Sequence, residues 1–265
     1  MAQDQRMTSA SKAQQLRARK GHQRITALTA YDYPMARLLD EAGIDVLLVG
    51  DSLGMVVLGF PDTTHVTLEH MVHHTAAVAR AHPKSLVLGD LPIHTYDDSA
   101  QALASARRLV AAGADAVKLE GGAEKAGIVR ALREAGIEVI GHIGMLPQQV
   151  IEEGGYRKKG KTPAAADQLV GDALALEQAG ACALVLESIV PDVATRITAA
   201  VGIPTIGIGC GEHTCDGEVA VITDLLGSYP WFVPPFARPE ADLATAIRHA
   251  AQAYRQRVCA PSSRS

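Results

Sequence analysis

The chain reads as an α/β protein, a single (β/α)8 TIM barrel with its active site at the C-terminal ends of the strands. Three observations carry this. Short runs rich in Val, Ile and Leu recur at helix-length intervals, the pattern of parallel strands buried on both faces. The segments between them carry the start and stop punctuation of helices. Five of the runs end in an ionisable residue: Asp51, Asp90, Glu120, His142 and Glu187. In a closed barrel all five surface at one mouth, the face where such barrels do chemistry.

Taken in order, the first strand is expected over Ile25 to Tyr31. The next five are Val46 to Gly50, Ser85 to Gly89, Ala116 to Leu119, Ile137 to Gly141 and Ala183 to Leu186. The seventh is Pro204 to Ile208, and the eighth Trp231 to Val233. Between them, Pro34 to Ala42 opens on a helix-start proline and stops at Gly43. Leu68 to Ala81 stops before Pro83. Ser99 to Ala112, Ala123 to Ala135, Ala164 to Ala179 and Pro191 to Val201 each stop at a glycine, and Ala241 to Val258 closes the series. No GxGxxG follows the first strand, which disfavours an open dinucleotide-binding sheet; Ile208-Gly209-Cys210-Gly211 follows the seventh strand instead.

The 265 residues suit one such barrel, which typically needs about 250. The expected organisation is a polar, helical extension over 1–20, the barrel over 21–258 and a polar tail over 259–265. With 48% hydrophobic and 20% charged residues a sizeable core can be buried. A net charge of -4 gives no electrostatic case for nucleic acid or an anionic membrane. No run approaches the roughly 18 apolar residues of a membrane span. The N-terminal stretch has no apolar core for a secretory signal, and Asp4 argues against a transit peptide. Its basic segment Lys12 to Lys20 suits a short helix. Cys182, Cys210, Cys215 and Cys259 show no metal-ligand spacing and read as free thiols, in keeping with a cytoplasmic setting.

Asp51, Asp90 and Glu120 end adjacent strands. Three carboxylates meeting without partners repel, and a cation resolves this; oxygen ligands of this kind suit Mg2+. The competing reading is three separate turn caps. Period-two alternation turns Lys118 and Glu120 to the same face, into the lumen, while Val117 and Leu119 face the helices. A lysine there needs carboxylates or an anionic ligand. Glu187, expected across the barrel from the trio and flanked by apolar residues, suits a general base of raised pKa. His142 suits a supporting hydrogen bond. His70, His73 and His74 lack the Glu of HExxH and read as a packing or solvated face. The long connection Ile143 to Pro163, with Arg157, Lys158, Lys159 and Lys161, reads as a lid, a binding loop or a solvated basic loop.

Six segments then fall into a family pattern, in order, from about Leu16 to Leu225: Tyr31-Asp32-Tyr33, Val49-Gly50-Asp51-Ser52-Leu53-Gly54-Met55, Gly89-Asp90-Leu91-Pro92, Lys118-Leu119-Glu120-Gly121-Gly122, Gly141-His142-Ile143-Gly144 and Ile206-Gly207-Ile208-Gly209. The chain resembles the ketopantoate (3-methyl-2-oxobutanoate) hydroxymethyltransferases of the phosphoenolpyruvate mutase/isocitrate lyase superfamily. The resemblance implies Mg2+ on Asp51, Asp90 and Glu120, a 2-oxo acid held by Asp51, Ser52, Asp90 and Lys118, and Glu187 as proton acceptor. It also implies 5,10-methylenetetrahydrofolate as one-carbon donor, pantothenate synthesis as the pathway and a homo-oligomer, commonly a decamer. The chain departs from the pattern at Cys210, where a small residue is usual, at Glu218, where an amide is usual, and over Val233 to Arg238, which includes Pro234 and Pro235. A C–C bond lyase, an aldolase or a hydroxymethyltransferase of the same superfamily acting on another 2-oxo acid is the alternative reading.

Overall fold

The computed structural model describes residues 10–152 and 154–260; Asp4 and the tail beyond 260 lie outside the described residues. Two compact units are present, one reaching to Val219 and one from Ala220 onward.

The strands are β1 (Ile25–Thr29), β2 (Val46–Val49), β3 (Leu86–Asp90), β4 (Ala116–Glu120), β5 (Val139–Gly144), β6 (Ala183–Glu187), β7 (Thr205–Ile208) and β8 (Gly217–Ala220). They close in sequence order into a barrel of parallel neighbours. The helices of this unit are α1 (Lys12–Arg17), α2 (Tyr33–Glu41), α3 (Leu53–Val56), α4 (Leu68–Ala79), α5 (Ser99–Ala111), α6 (Ala126–Glu134), α7 (Pro163–Gln178) and α8 (Pro191–Ala200). Side chains cap the helices as their sequences require. Asp32, Thr67, Asp98 and Thr162 each accept a backbone N–H of the first turn of α2, α4, α5 and α7.

The lumen is filled by every second residue of the strands. Ala27, Val46, Leu48, Leu86, Leu88, Ala116, Ile140, Ala183, Val185, Ile206 and Val219 form one buried cluster with Ala13 and Leu16 of α1. Helix α1 therefore plugs the bottom of the barrel. Its basic residues and those just after it tie it there: Lys12 Nζ reaches the carbonyls of Pro83 and Ser85 and the Asp115 carboxylate, Arg19 pairs with Asp45, and Lys20 pairs with Asp216.

Two strands differ from expectation. β5 starts later and runs further, so His142 lies inside it. The eighth strand is Gly217–Ala220, not Trp231 to Val233. The true segment has no apolar run; it contributes Val219 to the lumen, and Gly217 packs where a Cβ would stand 2.4 Å from the Ile25 carbonyl. Trp231, Phe232 and Val233 form no strand and are 79%, 47% and 49% exposed. They belong to the second unit, with α9 (Ile222–Leu225) and α10 (Leu243–Cys259). On α10, Leu243, Ile247, Tyr254 and Val258 are exposed at spacings that put them on one face.

Truncating the plug tests its part in the core. Leu16→Ala should cost about 2–5 kcal/mol, read as a lower urea midpoint at unchanged slope.

Candidate active site

Alternation sets the chemistry of the mouth. On β3, β4, β5 and β6 the inward series run Leu86-Leu88-Asp90, Ala116-Lys118-Glu120, Ile140-His142 and Ala183-Val185-Glu187, apolar below and ionisable above. Parallel register then pairs them across strands, Asp90 with Lys118 and Glu120 with His142. Asp51 follows β2 by two residues, and its N–H donates to Asp90 Oδ2 at 3.3 Å. Ser52 begins the turn into α3, its Oγ 2.9 Å from the Tyr31 hydroxyl.

Asp51, Asp90, Lys118, Glu120 and His142 are each at most 5% exposed. Lys118 Nζ lies 2.9 Å from Asp90 Oδ1, 3.7 Å from Glu120 Oε1 and 3.3 Å from His142 Nδ1. An ammonium only donates, so His142 Nδ1 accepts and its proton sits on Nε2. Nε2 faces Glu187 Oε2 at 3.4 Å, without a formed hydrogen bond. Glu187 is thus one strand from His142 and two from Glu120, closer to the trio than its expected place across the barrel, and it is opposite only Asp51. Gly144 allows this approach: its φ is 104°, and a Cβ there would meet the Glu187 carbonyl at 2.3 Å.

Burial acts on the protonation of Asp90, Glu120, Glu187, Lys118 and His142. It raises Asp90 to about 7, with Lys118 opposing and Asp51 adding to the rise. It raises Glu120 well above the carboxylate range, and the charges of Asp51, Asp90 and Glu187 add to this. It raises Glu187 to about 7, partly offset by Lys118. Burial opposes the Lys118 charge, yet Asp90, then Glu120 and Asp51, hold its pKa above the usual lysine value. Burial and the Lys118 charge together push His142 far below its usual value, so the imidazole is neutral.

Four carboxylates therefore face one ammonium. Asp90 Oδ1 and Glu120 Oε1 are buried and share the one Lys118 ammonium, at 2.9 and 3.7 Å. A divalent cation fits this donor set by charge and by oxygen chemistry. Among the described residues, no three of these side chains are placed so as to hold a metal ion as they stand.

Sequence reasoning missed Gln148 and Tyr96. Gln148, on a 3-10 turn over Pro147–Gln149, is 3% exposed. Its Nε2 donates to Asp51 Oδ2 at 2.8 Å and to the Leu91 carbonyl at 3.0 Å, and its N–H donates to Glu120 Oε2 at 3.1 Å. The Tyr96 hydroxyl donates to Gln148 Oε1 at 2.5 Å, which fixes the amide's orientation. The only signal was the length of the connection after β5. Beyond Gln148 that connection returns to the barrel through a bridge between Lys159 and Ile189, with Arg157, Lys158 and Lys161 exposed. The histidines of α4 stand apart from the mouth's chemistry: His70 caps its own helix with Thr67, and His74 bonds the Tyr31 carbonyl. Glu218 points outward on β8.

The geometry defines a class: a (β/α)8-barrel enzyme with a buried acidic mouth, one lysine and a raised-pKa glutamate. Its fold is shared with solved structures of low sequence identity. A phosphoenolpyruvate phosphomutase from Streptomyces platensis subsp. rosaceus superposes with a TM-score of 0.63 at 18% identity, over 93% of this chain and 87% of that one. A phosphonopyruvate hydrolase solved with oxalate and Mg2+ gives 0.61 at 17% identity, over 93% and 85%. In sequence, the ketopantoate hydroxymethyltransferase family profile matches residues 10–262. The 3-methyl-2-oxobutanoate hydroxymethyltransferases of Ignicoccus hospitalis and Moorella thermoacetica are 52% and 50% identical to the chain. They align over 90% and 97% of this chain, and 90% and 95% of their own lengths. The chain belongs to the ketopantoate hydroxymethyltransferase family, and is a hydroxymethyl-transferring enzyme.

If Gln148 holds the acidic mouth by donating, charge should matter more than volume. Gln148→Ala should cost about 1–3 kcal/mol from acceptors left without a donor. Gln148→Glu should cost more at about pH 8, where a further buried carboxylate meets Asp51. Equal urea midpoints for the two variants would assign Gln148 to packing alone.

Proposed function

We propose that this enzyme makes ketopantoate from 3-methyl-2-oxobutanoate and 5,10-methylenetetrahydrofolate, with Mg2+ held by Asp51, Asp90 and Glu120. The observation that carries the reading is the unbalanced charge of the mouth, which a divalent cation and an anionic acid beside Lys118 complete. Bound there, Mg2+ would act as a Lewis acid, stabilising negative charge that develops on the substrate's ketone oxygen.

The remaining work falls to the chain's own residues. Lys118 and Ser52, with Asp51 and Asp90 beside them, hold the carboxylate end of the 2-oxo acid. Glu187, ionised, takes the proton from carbon 3 at its Oε atoms. The raised pKa matches it to that task near neutral pH. His142, neutral, presents Nε2–H toward Glu187 and keeps the carboxylate oriented. The carbon so activated bonds to the methylene carbon of the donor; water supplies the hydroxyl to that carbon and its proton to a folate nitrogen, and the carbon–nitrogen bonds break so that tetrahydrofolate leaves. The exposed cations Arg157, Lys158 and Lys161 suit the carboxylates of the folate donor. Assembly as a homo-oligomer, a decamer by resemblance, is supported by the apolar stripe exposed on α10. No helix among the described residues is long and apolar enough to cross a membrane, and we place the enzyme in the cytoplasm.

The direct test is turnover: protein, Mg2+, donor and 3-methyl-2-oxobutanoate should yield ketopantoate, and a panel of 2-oxo acids should rank this acid first. Without donor, the enzyme should exchange the carbon-3 proton for deuterium. Glu187→Gln should lower exchange by about 10²–10⁴-fold with oxo-acid binding retained. Because Glu187 acts ionised, the wild-type exchange rate should rise about tenfold per pH unit below about 7 and level off above.

Stability should follow the same groups. Carboxylates raised on folding bind extra protons in the native state, so their contribution to stability falls as pH climbs from the ordinary carboxylate range to about 7. Mg2+ competes with those protons. Its upward shift of the thermal midpoint should be larger at about pH 8 than at about pH 5. A shift independent of pH would remove the carboxylates from the metal site.

A further inference from the structure

Two cysteines at the end of β7 take no part in the chemistry above. Cys210 and Cys215 are buried, at 2% and 6% exposure. Both pack on Gly207: a Cβ there would stand 2.9 Å from Cys215 Sγ and 3.6 Å from Cys210 Cβ. Only four residues separate them along the chain.

Cys210 also grips the turn that carries Glu187. Its S–H donates to the Leu186 carbonyl at 3.1 Å, and its sulfur accepts the Ile189 N–H at 3.4 Å. These two residues flank Glu187 and Ser188. Ser188 has φ 49°, a left-handed conformation that a residue other than glycine holds only when its surroundings impose it. The imposing contacts come from two sides: at the end of β7, the Cys210 sulfur and the Ile208 carbonyl that accepts the Ser188 N–H at 2.8 Å; and from the connection after β5, the Lys159 N–H, which donates to the Ser188 carbonyl at 2.8 Å.

We propose that Cys210 and Cys215 form a modification site for hydrogen peroxide, and that their disulfide releases the turn holding Glu187. Cys215 reacts first. Its thiol pKa lies below the usual cysteine value because of the neighbouring Cys210 thiol, with burial opposing, and the Thr214 hydroxyl lies 3.6 Å from its sulfur. The thiolate attacks one peroxide oxygen, the O–O bond breaks, and hydroxide leaves, giving Cys215–SOH. Cys210 sulfur then attacks the Cys215 sulfur; the S–O bond breaks and the hydroxyl departs as water with the Cys210 proton. In sum, two thiols and one peroxide give one disulfide and two waters. Each sulfur is oxidised by one electron and the peroxide oxygens are reduced. Peroxide suits so buried a pair because it is small. In the disulfide, Cys210 has no S–H for the Leu186 carbonyl, and its sulfur turns to Cys215, away from the Ile189 N–H.

The functional half of the proposal rests on Glu187 being the base; the chemical half does not. The test treats the full chain with hydrogen peroxide and follows carbon-3 proton exchange beside peptide mass. The tryptic peptide Ile197 to Arg248 contains Cys210 and Cys215 and no other cysteine. It should lose two hydrogens as exchange falls by at least about tenfold, the scale expected for a misplaced catalytic group, and dithiothreitol should restore both. Cys215→Ser leaves the Cys210 contacts in place. It should keep basal exchange within about twofold of wild type and lose the reversible inactivation; Cys215→Ala serves as a second variant. Three results would each overturn the proposal: no internal disulfide in that peptide, a disulfide with exchange unchanged, or a Cys215 variant as peroxide-sensitive as wild type. Failure of the Glu187 reading is separate, since it would appear as wild-type exchange in Glu187→Gln whatever the peptide shows.

Discussion

One ammonium among four carboxylates, three of them buried and the fourth, Glu187, partly so, is the constraint around which this mouth is built. Burying an unpaired ion costs several kcal/mol even after relaxation, and the shifted groups record that cost. Raising Glu187 from 4.5 to about 7 corresponds to about 3 kcal/mol of penalty on its charged form. Such an arrangement persists only on a scaffold that cannot relax away from it. Here the charged atoms sit at the ends of hydrogen-bonded strands, with Asp90 facing Lys118 and Glu120 facing His142 in the register of the sheet. Separating the carboxylates would mean breaking the ladder.

The lower barrel supplies the rigidity. Apolar side chains fill the lumen below the ionisable layer, and α1 seals the far end with Ala13 and Leu16. Water is excluded from beneath, so the mouth opens one way and its charges keep the low-dielectric surroundings that shift them. The basic residues of the N-terminal segment, which look like a solvated helix in the sequence, are what fasten that seal. Their partners Asp45, Asp115 and Asp216 all precede strands at the bottom of the barrel. Opposite charges thus close one end, and an uncompensated excess of one sign defines the other.

This division explains what was legible in the sequence. Strands filled by apolar residues announce themselves, and period two then identifies Lys118 as inward from its distance to Glu120 alone. β8 is invisible to the same reasoning because closing the barrel needs only Val219 from it, flanked by Gly217 and an outward Glu218. Trp231 to Val233 has the apolar run and lacks the sheet. Gln148 escaped for a different reason. A neutral amide in a loop carries no periodicity and no charge to flag it; its importance comes from three acceptors that only folding brings together. Asp51, Asp90, Glu120 and Glu187 could be picked out one by one, but the hydrogen-bond donor that organises them could not.

The remaining question is how Glu187 keeps a pKa suited to proton transfer beside so much charge. A cationic histidine next to it would pull that pKa down and hold the carboxylate too weakly basic. Burial, and then Lys118, prevent this. Burial disfavours the charged imidazole most, and Lys118, 3.3 Å from His142 Nδ1, makes a second positive charge there more unfavourable still. It also fixes the tautomer, leaving Nε2–H toward Glu187. A neutral ring thus separates the Glu120 side of the mouth from Glu187: it can orient the base without neutralising it. Lys118 therefore acts at two distances. It balances Asp90 directly and draws the Glu187 pKa down in part, yet by disfavouring a charge on His142 it spares Glu187 a second, closer cation.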